Sequence, residues 1–314
     1  MNSAGLVRNA AALVALAICS ACGGAAVAPS SANLSALPGF ATIAPSRQAQ
    51  SNHFEYIINN YGTYASIFDY PNSDRQIGKI HDVGGQGCTN VLYGYGKKTF
   101  WIVAAADKIE EYQVPKKPLK RLSVSIGSPS SCAMDTSGDL AVGILEGSGG
   151  GDIVIFKNAS GSGTVITTPL VKEYFDGYDT HGNLFFDGFN SGSHFEFDEL
   201  PEGSRKAHVI TTSNSIGFPG SVQWDGKYMT ITDQKANAIY QYTISGRKAT
   251  LKGTVSLSGS NDCSQTWIAK GVVFCADSGN LRGEVFDYPA GGSVIDAVFT
   301  GNFDLPLGTV AAEN

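Results

Sequence analysis

The side chains best suited to chemistry in this sequence are carboxylates and amides beside short apolar segments. They are Asn90, Asp135, Asp179 and Asp304. A hydrolase or lyase that uses a divalent cation needs several oxygen ligands of this kind to converge. A structural role is the alternative to metal binding for Asp135 and Asp179, because they lie in the segments DTSGD and DTHGN. Asp before a glycine turn commonly accepts hydrogen bonds from its own backbone, and we favour that role over a divalent metal site.

Four cysteines follow the N-terminal region, and they predict two disulfides. Cys263 and Cys275 flank a hairpin, and a turn centred near Ala269 would place them directly opposite each other. Cys88 and Cys132 occupy the same position in neighbouring repeats, so a bond between them would join two structural units. Free buried thiols are the alternative. A zinc site is disfavoured because these four cysteines form no CxxC motif and have no nearby pair of histidines.

These residues are carried by a repeat that recurs six times from His53 onward. Each copy has an apolar strand, a polar break and a strand rich in aromatic residues, followed by a turn and a short strand. The copies begin with the segments 54–71, 99–115, 140–157, 184–201, 228–244 and 272–289. Every copy except the first is preceded by a further strand and a glycine turn. The missing strand is found at the C-terminus, where residues 303–312 align with 216–224.

This arrangement predicts an all-β fold, a six-bladed β-propeller over residues 53–314. A ring of four-stranded sheets leaves exposed edges unless it is closed, and the C-terminal strand would close it by joining the first blade. The expected blades are 53–83 with 303–312, 84–126, 127–170, 171–214, 215–259 and 260–302. The aromatic residues Phe175, Tyr178, Phe218 and Phe303 are then expected to line one mouth of the central channel. Together with the carboxylates and the amide named above, they are the candidate binding surface.

The segments 132–142, 216–234 and 276–292 resemble NHL-type propellers, and more narrowly YncE-like lipoprotein propellers of bacteria. The resemblance covers the whole domain and extends distantly to the SMP-30 and virginiamycin-lyase-like propellers. It implies the fold and leaves the activity open, because these propellers include lyases, lactonases and binding modules. The five histidines do not match the His-and-Glu catalytic pattern of the lyases. A G-x-S-x-G nucleophile elbow and a Walker loop are also absent, so no catalytic residue is assigned.

Composition excludes some functional classes. The 314 residues are 42% hydrophobic and 16% charged with a net charge of −6, which argues against phosphate-contacting nucleic-acid binding and against wholesale disorder. No apolar run reaches the length of a membrane-spanning helix. We expect a monomer whose protein or small-molecule ligand the sequence does not identify, without a cofactor, although a divalent metal in the channel remains an alternative.

The N-terminus is predicted to be an export signal. Residues 1–21 contain one Arg, an apolar run and small residues before Cys22, which resembles the lipidated cysteine of bacterial lipoproteins. Ordinary secretion with cleavage nearby is the alternative. Residues 22–52 are rich in Ala, Ser, Gly and Pro and predict a flexible tether. The sequence therefore favours an exported binding module held in the cell envelope, with the membrane contacted only through the lipid, over a metal-dependent hydrolase or lyase that works in the channel.

Overall fold

Short segments rich in Val, Ile, Phe and Tyr form the strands of this protein, as their alternating pattern predicts. The computed structural model describes residues 53–59, 63–71, 75–104, 107–147, 150–295 and 298–314. The predicted signal peptide 1–21 and the predicted lipidation site and tether 22–52 lie outside these residues.

The strands are numbered in chain order. Those up to the third blade are β1 (His53–Asn59), β2 (Tyr64–Tyr70), β3 (Gln76–His81), β4 (Val83–Thr89), β5 (Gly96–Lys97), β6 (Thr99–Ala104), β7 (Lys108–Gln113), β8 (Lys117–Ser123), β9 (Gly127–Met134), β10 (Leu140–Gly147), β11 (Ile153–Phe156) and β12 (Thr164–Ile166). A short 3-10 helix follows β11 at Lys157–Ala159. The others are β13 (Lys172–Tyr178), β14 (Leu184–Phe189), β15 (Phe195–Leu200), β16 (His208–Val209), β17 (Thr211–Thr212), β18 (Val222–Trp224), β19 (Met229–Asp233), β20 (Ala238–Ser245), β21 (Lys248–Ser258), β22 (Cys263–Ala269), β23 (Val272–Asp277), β24 (Arg282–Asp287), β25 (Gly292–Ser293), β26 (Val298–Phe299) and β27 (Pro306–Glu313).

The sheets form the predicted six-bladed β-propeller. From the inner strand outward, blade 1 is β27-β1-β2-β3 and blade 2 is β4-β6-β7-β8. Blades 3 and 4 are β9 to β12 and β13 to β16 in order, blade 5 is β18 to β21, and blade 6 is β22-β23-β24-β26. Three short strands add parallel pairings: β5 pairs with β27, and β17 and β25 pair with β21.

The C-terminal strand closes the ring, as predicted from the incomplete first repeat. Strand β27 pairs antiparallel with β1 from His53 opposite Glu313 to Asn59 opposite Pro306. Without it, β1 would present an open row of backbone hydrogen-bonding groups to the channel side. Blade 1 is therefore built from the two ends of the propeller domain.

The inner strands run in the same direction around the channel. Ser221 of blade 5 accepts a hydrogen bond from the backbone of Thr266 of blade 6, and Gln223 accepts one from Ile268, so both strands advance together. The domain therefore has two different mouths. We call the end where the inner strands begin the N mouth and the end where they finish the C mouth.

Aromatic and aliphatic side chains fill the spaces between blades. Trp101 of blade 2 belongs to the same buried cluster as Leu140 and Phe156 of blade 3, and Phe197 of blade 4 clusters with Tyr242 of blade 5. Both faces of a blade are thus buried against its neighbours, which is why the strands of this sequence are apolar on both faces.

Both predicted disulfides are present. Cys88–Cys132 joins the inner strands of blades 2 and 3 with a Cα–Cα distance of 5.7 Å, and Cys263–Cys275 lies within blade 6 at 5.5 Å. The predicted register of the second pair was wrong, since Cys263 lies opposite Asp277. The hairpin turns at residues 270–271, and a β-bulge after Cys263 brings its side chain back within reach of Cys275.

The disulfides are consistent with an exported protein, because such bonds persist in oxidising compartments. Among the described residues, no helix has the length and hydrophobicity needed to cross a membrane.

Candidate ligand-binding site

The central channel is narrow and lined by the inner strands of the blades. A cavity in the channel, lined by residues of blades 2 to 6, has a volume of about 30 Å³, which is room for about two water molecules. The wall includes Asp176, Tyr178 and Trp224 as well as three glutamines. An organic substrate does not fit in this space.

The three glutamines use their amide groups to tie the blades together across the channel. Gln86 of blade 2 donates to the carbonyl oxygen of Tyr174 in blade 4 at 2.9 Å. Gln265 of blade 6 donates to the carbonyl of Gly87 at 2.8 Å and accepts from its N–H at 3.1 Å. Gln223 of blade 5 accepts from the N–H of Ile268. These side chains satisfy buried backbone groups and fix the centre of the ring.

A loop from blade 2 covers the C mouth. The backbone of Gly94 donates to the carbonyl of Ile268 at 2.9 Å and accepts from the indole N–H of Trp267 at 2.7 Å. Leu92 packs on the apolar cluster that contains Tyr178. The side chain of Asn90 bonds both the N–H and the carbonyl of Lys97, which closes the base of the loop. Asn90 is therefore occupied in holding the loop over the mouth.

The two aspartates before glycine turns have the structural contacts that we favoured. Asp135 accepts hydrogen bonds from the N–H groups of Ser137 and Asp139 at 2.9 and 2.8 Å. Asp179 accepts from His181 and Asn183 at 2.8 and 2.9 Å. Each carboxylate stabilises its own turn at the C mouth.

Three other candidates lie at the opposite end of the channel, because they precede inner strands. Phe303 is buried beside Tyr64, and Asp304 is exposed with its backbone N–H bonded to Asn59. Phe218 is half-buried among aromatic rings of blade 4. Phe175, by contrast, is buried in the channel wall. The eight residues of the predicted binding surface thus lie at both mouths and in the wall, and they do not form one site.

Two of them, Asp135 and Tyr178, meet at a cleft between blades 3 and 4 on the C-mouth side. This blade 3–4 cleft has a volume of about 210 Å³. Its floor is apolar and its rim carries charges of both signs. The floor consists of Ile155, Ile166, Tyr178, Leu184 and Leu200, and the rim includes Asp135, Asp139, Lys157, Glu202 and Arg205. An apolar floor with a few polar groups at the edge is typical of a small-molecule site.

The charges on the rim are partly paired. Lys157 forms an ion pair with Asp139, and this hydrogen bond raises the pKa of Lys157. Burial, followed by the nearby Asp135, raises the pKa of Tyr178 well above its ordinary value, so its hydroxyl stays neutral. Arg205 takes part in none of the ion pairs found among the described residues, which leaves its guanidinium available to a ligand.

Three buried carboxyl groups of blade 4 lie at the channel wall, with Asp176 in the wall and Glu173 and Asp187 behind it. Burial, with a further contribution from the nearby Asp176, raises the pKa of Glu173 well above its usual range. Burial raises the pKa of Asp176 to about 8 and that of Asp187 well above its usual range. Burial therefore favours the neutral, protonated form of all three groups in the folded protein.

Their hydrogen-bond partners are few. Ser131 donates to Glu173 at 3.0 Å, and the N–H of Gly220 donates to Asp187 at 3.2 Å. The hydroxyl of Ser131 also lowers the pKa of Asp176, but its single proton serves one carboxyl at a time. Asp176 is 6% exposed, faces the channel, and its oxygens lack hydrogen-bond partners of normal geometry. A buried polar group without a hydrogen-bond partner destabilises the folded protein.

These acids do not form a compact metal site. Among the described residues, the one trio of His, Cys, Asp or Glu whose ligand atoms all lie within 4.8 Å of one another is Cys263, Cys275 and Glu284. Its two cysteines form a disulfide and offer no thiolate. The oxygens of Glu173, Asp176 and Asp187 are more widely spread, so the geometry does not fit an ion held directly by all three.

Comparisons with known proteins support the fold alone. No family model and no curated protein sequence matches this chain. A similar solved structure is the crystal structure of a functionally unknown protein from Desulfotomaculum acetoxidans, with a TM-score of 0.53 and 8% sequence identity. The match covers 83% of this chain and 99% of that one. At this identity the likeness establishes a shared architecture and carries no activity across.

Proposed function

We propose that this protein is an exported binding module of the cell envelope that holds a small molecule in the blade 3–4 cleft. The observation that carries the proposal is the contrast between two spaces. The cleft offers about 210 Å³ over an apolar floor, whereas the cavity in the channel, where propeller enzymes usually work, has about 30 Å³. The neutral Tyr178 and the turn-bound Asp135 supply contacts to a ligand and no general base.

The cleft restricts the ligand by size and chemistry. Its volume is below that of the usual drug-sized pocket, so it suits a molecule of about ten non-hydrogen atoms. Burial on Leu184 and Leu200 favours an apolar body. Arg205 and Glu202 at the rim can bind a polar end of either charge.

We expect Thr164→Trp to weaken ligand binding at least tenfold, because Thr164 lines the cleft and an indole there fills it. Val165→Trp is the matched control, since Val165 is 45% exposed and points from the other face of the same strand. Saturation-transfer NMR with phenylacetate and phenethylamine measures the effect, with dissociation constants of about 1 mM expected for probes of this size. Binding that survives Thr164→Trp, or that Val165→Trp weakens equally, would contradict the cleft assignment.

We further propose that Cys22 is lipidated after cleavage of residues 1–21 and that 22–52 tether the propeller, as in the YncE-like lipoproteins that the sequence resembles. Cys22→Ser is expected to move the protein from the membrane fraction to the soluble fraction of cells. Immunoblotting after high-speed centrifugation measures the distribution. Continued sedimentation of Cys22→Ser with membranes in high salt would refute lipid anchoring.

The second candidate function is a metal-dependent hydrolase or lyase that works in the channel. One observation favours it: the buried carboxyl of Asp176 faces the channel space without well-formed partners. The metal-dependent enzyme would require an ionised Asp176 carboxylate to bind the cation. The binding module has no such requirement, because its ligand lies in the blade 3–4 cleft. Variants of this residue therefore separate the two candidates.

A further inference from the structure

The charge of the propeller is unevenly distributed among the blades. Residues 84–126, which form blade 2, contain seven Lys and Arg and three Asp and Glu, for a net charge of +4. The chain as a whole has a net charge of −6. Blade 2 therefore presents a positive surface on a protein that is otherwise acidic.

The positive charge of blade 2 is concentrated at its outer edge. Residues 115–121 read PKKPLKR and are all exposed, and most of them belong to the outer strand β8. Lys120 donates to the carbonyl of Ala159, and Arg121 pairs with Glu110. Lys116 and Lys117 take part in none of the ion pairs found among the described residues, so their charges face solvent.

Apolar side chains lie beside these lysines. Leu119 is 46% exposed on β8 and Ile77 is 44% exposed on β3, the outer strand of blade 1. The ammonium group of Lys116 lies beside Gly78, on the side where a side chain would project, so Lys116 reaches the outer strand of blade 1. We call the surface formed by Ile77, Lys116, Lys117 and Leu119 the basic edge.

Protection of an edge strand explains only part of this surface. Lysine and proline on an edge prevent pairing with another sheet. The outer strands of blades 3, 4 and 6 read TVI, HV and VF and are too short to need such a run, and the 11-residue outer strand of blade 5 carries only two lysines. A protective role also does not account for the exposed apolar residues beside the lysines.

We propose that the basic edge docks on a membrane surface rich in anionic phospholipid. Cations beside an exposed leucine match a layer of anionic headgroups over acyl chains, with each lysine or arginine adding attraction. The disulfides are consistent with export, which favours a lipid surface over nucleic acid as the anionic partner. The proposal rests on the envelope location proposed above and adds a second membrane contact to the lipid, beyond the sequence-based expectation that the lipid alone reaches the membrane.

The test is co-sedimentation of the full-length Cys22→Ser chain with vesicles of phosphatidylglycerol and phosphatidylcholine in equal parts. We expect binding at 50 mM NaCl that is lost at 300 mM NaCl and absent with pure phosphatidylcholine vesicles. Lys116→Glu with Lys117→Glu should weaken it about thirtyfold. The matched control, Lys248→Glu with Lys252→Glu, changes two exposed lysines on the outer strand of blade 5 and should have little effect.

The contribution of the apolar residue is tested separately. Leu119→Ser should weaken vesicle binding about threefold to tenfold, whereas Val165→Ser should not. No binding to the anionic vesicles, equal loss in the control pair, or retention by immobilised heparin without vesicle binding would each overturn the proposal. The chain in this assay carries no lipid, so the two proposals are tested independently. Absence of vesicle binding would not affect the evidence for lipidation of Cys22, and absence of lipidation would not affect the vesicle-binding result.

Discussion

Asp176→Asn is expected to stabilise the folded protein at pH 8 and to change its stability little near pH 3.5. Burial raises the pKa of Asp176 from 3.8 to about 8 in the folded protein. Between these values the unfolded chain releases the proton while the folded protein keeps it, so stability falls as the pH rises from about 4 to about 8. Asparagine has no proton to release. We expect a gain on the order of 2 to 4 kcal/mol at pH 8.

Urea unfolding of the oxidised protein at pH 3.5, 6 and 8 measures this difference. Asp304→Asn is the control for loss of one formal negative charge, because Asp304 is exposed and lies at the other mouth. A loss of stability in Asp176→Asn that grows with pH would mean that the folded protein uses the ionised carboxylate. That result would contradict our account and favour a cation in the channel.

A chain that ends at Asp304 is expected to lose cooperative folding. The deletion removes β27, whose Val310, Ala311 and Ala312 are fully buried and whose backbone pairs with β1 along its whole length. The loss of this burial and of the ladder approaches the total stability of a typical domain, about 5 to 15 kcal/mol. Thermal unfolding followed by circular dichroism should show no sharp transition.

Addition of a synthetic peptide PLGTVAAE to the shortened chain tests whether the missing strand is the cause. The peptide should restore part of the transition by adding as a strand to β1, and a scrambled peptide should not. Asn314 lies beyond β27, so removal of Asn314 alone should leave the unfolding transition unchanged. A sharp transition in the chain that ends at Asp304 would show that the ring does not need this strand.

The fold was predictable because its six repeats can be recognised in the sequence. The first copy lacks a strand that residues 303–312 supply, and a ring explains this better than a sandwich or a solenoid. Cys88 and Cys132 were matched by their place in the repeat and are bonded. Cys263 and Cys275 were paired correctly, although the predicted strand register was wrong. The register differs because of a β-bulge, which the alternation of side chains along a strand does not reveal.

The candidate site was much less predictable. Whether a residue precedes or follows an inner strand decides which mouth it reaches, and this separates Phe303 from Asp135. The hydrogen bonds of the three glutamines and the position of the loop formed by residues 90–98 depend on contacts between residues far apart in the sequence. A single sequence shows no pattern for such contacts. Gln265, for example, bonds to Gly87, which is 178 positions away. Asp135 and Tyr178 were chosen as mouth residues, and the cleft that they share forms only when blades 3 and 4 pack together.

The central claim is that the ligand is held between blades 3 and 4 and that the channel remains closed. Crystals soaked with phenylacetate or phenethylamine test it directly by showing where the probe lies. We predict density over Leu184 and Leu200 in the cleft, with Gln86, Gln223 and Gln265 still bonded across the channel. Density for the probe or for a coordinated cation beside Asp176, with the glutamine ties broken, would contradict the claim.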